Sequence, residues 1–76
     1  MRELCIKVTA VGRGDATQRI TRLLRAVDGV TAVEVDPVSG WVITRGNSLQ
    51  EDDLLTTVRA AGFGIERVSH DSPFMT

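Results

Sequence analysis

Leu4, Ile6 and Val8 alternate with Cys5, Lys7 and Thr9, the two-residue period of a strand buried on one face. Val11-Gly12-Arg13-Gly14 then interrupts the pattern with two glycines. Asp15, with Gln18 three residues on, is a carboxylate variant of the capping box that opens a helix. Ala16, Ile20, Leu23, Leu24 and Val27 fall on one helical arc, and Arg19, Arg22 and Arg25 on the opposite one. Gly29 is placed to supply the left-handed residue that ends this helix. Val30–Val35 and Trp41–Arg45 read as two strands joined by the turn cluster Asp36-Pro37-Val38-Ser39-Gly40, hence a hairpin. Ser48-Leu49-Gln50-Glu51 is a full Ser-x-x-Glu capping box, and Leu54, Leu55, Val58 and Ala61 give the inner face of a second helix closed by Gly62. A last strand is expected over Phe63–Val68, and Ser69–Thr76 shows no period.

The spacing contains an internal repeat. Asp15 to Gly29 and Ser48 to Gly62 span the same number of positions, and each half reads strand, loop, capped helix, glycine, strand. Two such halves joined by the hairpin give βαββαβ, an α+β ferredoxin-like sandwich with two helices on one face of a four-stranded antiparallel sheet. The expected strand order is 4-1-3-2, which keeps both crossovers right-handed. Residues 1–68 form the expected domain, and 69–76 a flexible tail or linker.

Composition narrows the function. The chain has 76 residues, 42% of them hydrophobic and 25% charged, ordinary globular usage for one small domain. Nine basic against ten acidic residues give a net charge of −1, which argues against a nucleic-acid binder held by phosphate attraction. No apolar run approaches the roughly 18 residues of a membrane span, and Met1-Arg2-Glu3-Leu4 lacks a signal-peptide core, so the expected location is cytoplasmic, without membrane insertion by this segment. The single cysteine, Cys5, makes neither an internal disulfide nor a Cys-x-x-Cys pair by itself. One histidine and one cysteine, with no paired titratable groups, meet none of the tests for an active site, so no enzyme and no cofactor are expected.

Leu24-x-x-Val27-x-Gly29-Val30-x-x-Val33-x-Val35-Asp36, Ser39-Gly40-x-Val42 and Leu54-Leu55-x-x-Val58-x-x-Ala61-Gly62-Phe63 carry a resemblance. With them the chain, over about residues 3–68, resembles the heavy-metal-associated domains of copper chaperones, mercury-binding proteins and the N-terminal modules of metal-transporting P-type ATPases. The resemblance implies a Met-x-Cys-x-x-Cys loop between the first strand and first helix, whose two thiolates hold a soft ion such as Cu(I). Here those positions carry Val11 for the methionine, Arg13 for the first cysteine and Ala16 for the second. A guanidinium is a permanent cation and repels a metal ion, so the metal-transfer mechanism does not carry over.

Four surfaces remain as candidates. Gly12-Arg13-Gly14-Asp15 at a helix N-terminus offers amides and a guanidinium to an anion, although Asp15 neutralises the same end and a plain capped loop is the preferred explanation. Arg13-Gly14-Asp15 within it spells an integrin-type tripeptide, a match that three letters produce by chance. Cys5 and His70, with Met1 and Met75, are expected at one end of the sheet, a set of soft ligands that suits a metal. Arg19, Arg22 and Arg25, extended by Arg13, form a basic stripe, and Glu51, Asp52 and Asp53 an acidic start to the second helix; domains of the resembled family dock partners through the surface the stripe occupies. Trp41 and Ile43 are expected on the open sheet face, beside Cys5 or Lys7, as an apolar contact for a partner or a second copy. The leading expectation is a non-catalytic domain with a degenerate metal site that works through protein contacts. The alternatives are a regulatory N-terminal module of a metal-transporting ATPase, or a binder of an anion or of metal through Cys5 and His70.

Overall fold

The first strand, β1 (Arg2–Val8), lies in the interior of the sheet because both of its edges find partners. It pairs antiparallel with β3 (Trp41–Gly46) on one side and β4 (Ile65–Ser69) on the other, while β2 (Val30–Val35) adds to the far edge of β3. The order is β2-β3-β1-β4, the expected 4-1-3-2 read from the other edge. Helices α1 (Ala16–Arg25) and α2 (Glu51–Ala60) complete the βαββαβ chain. The computed structural model describes residues 2–9 and 14–70.

Register sets which face is dry. Leu4 lies opposite Thr44, Ile6 opposite Val42 and Val68, and Val33 and Val35 opposite Thr44 and Val42. These inward rows meet Ala16, Ile20 and Leu24 of α1, Leu54 and Val58 of α2, and the loop residues Leu49 and Phe63. Thr44 is fully buried in this face, and its hydroxyl donates to the Leu4 carbonyl at 3.0 Å, so its polar group is not left stranded there.

Local chemistry departs from expectation at the helix ends. Neither helix has a side-chain cap: Asp15 precedes α1 without one, and α2 starts after Gln50 rather than after Ser48. Buried Leu49 supplies the reason, because anchoring it in the core holds Gln50 extended and delays the first turn. Glu51, Asp52 and Asp53 then sit in that turn, where the helix dipole favours negative charge. Leu23, expected inside, is 40% exposed, since Ile20 and Leu24 already fill the α1 contact.

Gly62 does end α2. Its φ of +93° lets its own N–H bond the Arg59 carbonyl (3.0 Å) while the Phe63 N–H reaches Val58 (3.3 Å), a Schellman closure that swings Phe63 into the core. Gly29 acts elsewhere than at a helix end. Helix α1 stops at Arg25, and Gly29, at φ +90°, turns the chain into β2 against the Ser48 carbonyl, 2.6 Å from where a Cβ would sit. The last strand starts later than expected, at Ile65.

Candidate functional site

The β1–α1 connection is where the resemblance places metal ligands. Val11, Gly12 and Arg13 lie outside the described residues, so the anion loop is represented by Gly14 and Asp15, both exposed. Ala16, at the position of the second cysteine, opens α1 and packs its methyl into the core, 6% exposed. Carbon, not sulfur, therefore fills the start of this helix.

The basic stripe is split. Arg19 leaves it: its Nη2 donates to the Ala61 carbonyl at 2.9 Å, and its guanidinium stands 5.9 Å from the Phe63 ring centroid. A cation at the carbonyl end of α2 is favoured by the helix dipole, and the ring face adds to it. Arg19 thus clamps the start of α1 to the end of α2. Arg22 and Arg25 stay exposed and, with Thr17, Gln18 and Thr21, border a shallow open hollow on the outer side of α1.

On the open sheet face the expected apolar contact is corrected. Trp41 and Ile43 do point away from the helices, but Ile43 is only 4% exposed and Cys5, directly opposite it, is fully buried. Beside them runs an ion-pair lattice that crosses three strands. Arg45 Nε bonds Glu3 Oε2 at 2.9 Å, and a terminal nitrogen of Arg45 reaches Glu34 Oε1 at 3.3 Å. Glu3 also approaches Cys5 Sγ at 4.0 Å through its other oxygen. The Glu3 hydrogen bond is the main cause holding the Arg45 guanidinium more firmly protonated than usual, with Glu34 adding to it. Only Trp41, half-buried, remains of the expected apolar pair.

Cys5 and His70 do not form a common site. His70 Nε2 lies 3.0 Å from Glu51 Oε1 at the start of α2, on the helix side, whereas Cys5 lies beneath the opposite face. Met1 and Met75 lie outside the described residues. Among the described residues no group of three or more His, Cys, Asp and Glu side chains is placed to hold a metal ion.

Two features of this face are absent from the expectations drawn on sequence alone. Glu3, Arg45 and Glu34 occupy outward positions of three strands, a signal readable once the register is fixed. The second is the pairing of Lys7 with Arg67 at the hairpin end of the sheet, which extends the expected neighbours Trp41 and Lys7 into a row.

No protein-family model and no curated protein sequence matches the chain. Solved structures do. The chain is 26% identical to a chain of the Atx1–Cu(I)–Ccc2a complex, covering 95% of this chain and 100% of that one, with a TM-score of 0.79. It is 25% identical to the yeast copper transporter domain Ccc2a, over 87% and 93% of the two chains, at a TM-score of 0.78. A copper-binding domain of HMA7, a P-type ATPase, shares the fold at 22% identity, 87% and 92% coverage and a TM-score of 0.79. No described helix is long and apolar enough to cross a membrane. With its strand order, helix layer and these neighbours, the chain has the fold of the heavy-metal-associated domains of metallochaperones and P-type ATPases.

Proposed function

We propose that this chain is a non-catalytic domain of the heavy-metal-associated type whose metal motif has been lost, and that it acts through protein contacts in metal homeostasis. One observation carries the reading: the chain's single cysteine is sealed in the sheet at 0% exposure, while the helix start that would present a thiolate buries the Ala16 methyl. The carrier scaffold is kept and its soft ligands are gone. The proposed contact is the outward face of α1, with exposed Arg22 and Arg25. Cationic side chains there steer an acidic partner to the same end of the fold that a carrier would use. That Ccc2a is seen in a complex with Atx1 supports a role through protein contacts.

The test is a Cu(I) titration of reduced protein against a competing chelator. Wild-type protein leaves the copper with the chelator, and Arg13→Cys with Ala16→Cys withdraws one equivalent. Stoichiometric binding by wild type that survives Cys5→Ser would overturn the reading. The HMA7 domain, part of a P-type ATPase, favours a second reading, in which this domain regulates such a transporter from its N-terminal side; the coding sequence beyond Thr76 separates the two.

A further inference from the structure

Lys7 and Arg67 are direct cross-strand partners on the open sheet face. Like charges placed opposite each other in an antiparallel pair repel at Cβ separations of about 5 Å. Neither cation has an acidic partner among the described residues: Glu3 and Glu34 are held by Arg45, and Glu51 by His70. Asp36, opposite Trp41 across the hairpin, makes no ion pair with either cation; its ionised carboxylate accepts from the N–H groups of Val38 and Ser39 at 3.0 and 3.4 Å. The third residue of the row is Trp41, opposite Lys7 and half-buried. Exposed Glu66, the extra residue where the β1/β4 register shifts, adjoins Arg67 without an ion pair to either cation, so the sheet holds two unpaired cations and one carboxylate beside half-buried Trp41, on the side of the molecule away from α1.

We propose that the Trp41–Lys7–Arg67 row docks an acidic polypeptide segment, one or two carboxylates meeting the cations while an adjacent apolar side chain lies on the indole. Charge complementarity selects the occupant. A local pair of cations on a chain of net charge −1 suits a short acidic segment, because the field of the whole molecule draws no long polyanion. The repulsion across β1 and β4 is relieved when the carboxylate arrives, so binding and sheet stability are coupled at this row. The surface is separate from the α1 face and does not depend on the loss of the metal motif.

The experiment follows the indole N–H resonance of Trp41, the chain's only tryptophan, in labelled protein. The probe is a capped peptide of glutamates with one central leucine, three glutamates on each side. A saturable shift is expected. It is weakened about ten-fold or more in Lys7→Glu with Arg67→Glu, kept within about two-fold in Arg22→Glu with Arg25→Glu, and suppressed in about 0.5 M NaCl, where screening shortens to roughly 4 Å. Lys7→Glu alone makes the pair opposite in charge, and its thermal midpoint rises by about 1–5 °C. Absence of a shift overturns the proposal, as does equal loss in the Arg22/Arg25 variant or a lower midpoint in Lys7→Glu. Tighter binding of an oligothymidylate would reassign the row to nucleic acid. A dilution-dependent shift without peptide, removed by the Lys7/Arg67 variant, would reassign it to a second copy; both outcomes refute an acidic peptide.

Discussion

Replacing Ile43 by serine tests whether the open sheet face is a covered seam or an exposed contact. Ile43 is 4% exposed although it points away from the helices, with Cys5 and Glu34 directly opposite it on either side. Burying an isoleucine side chain is worth about 1.5–3 kcal/mol. A serine hydroxyl left without a partner in that space costs about 1–3 kcal/mol more. The expected loss is therefore about 3–5 kcal/mol, a large part of the roughly 4–11 kcal/mol available to 76 residues. Ile43→Val, which removes one methylene, costs about 0.5–1.5 kcal/mol. Urea unfolding measures both: with a slope near 1 kcal/mol per molar for a small domain, the midpoints fall by about 3–5 M and about 1 M. Trp41→Ala, at a half-buried site, falls between wild type and the serine variant. A loss below about 1 kcal/mol for Ile43→Ser would mean that this position is not buried in solution, and the face would be an exposed contact after all.

Arg19→Ala removes both the bond to the Ala61 carbonyl and the stacking over Phe63, and costs about 1–2 kcal/mol in thermal or urea unfolding, whereas Arg22→Ala stays within about 0.5 kcal/mol. Asp36 gives a pH signature. Its carboxylate is held below the usual range, first by the Val38 N–H, then by the Ser39 side chain and N–H. A lowered carboxylate contributes stability that is complete above the unfolded value of about 3.9 and fades as pH falls through the lower folded value. Asp36→Asn is thus less stable than wild type at neutral pH, and the difference closes below about pH 4 in a series of unfolding midpoints.

The strand periods and the repeat carry the fold because they report burial, which the sheet and helix layers enforce at every second or every third to fourth position. That logic places Val42 and Thr44 inward, and both are buried. Helix ends are less legible. Ser48-x-x-Glu51 has the letters of a capping box, yet anchoring Leu49 in the core outweighs a cap worth about 1 kcal/mol and moves the start to Glu51. Exposure on the open face escapes the sequence for a related reason. Alternation says which side a residue faces, not what its neighbours put around it, and only the register brings Glu3, Arg45 and Glu34 beside Cys5 and Ile43. Arg19 reads as part of a solvated stripe because helical periodicity contains no information about the carbonyl end of another helix.

The place of β1 has a consequence for how the chain is made. Of the four strands of this domain, the first to leave the ribosome is interior to the sheet, and its hydrogen-bonding edges are completed by β3 and β4, the last two of the four. Leu4, Ile6 and Val8, its inward row, are all buried in the finished domain, so until β4 arrives the nascent polypeptide carries a strand that is apolar on one face and open along one edge. Such a strand recruits other chains. Vectorial synthesis therefore postpones the decisive pairing to the end, and a product that terminates before Ile65 has the composition of this domain but the solubility of an aggregation seed.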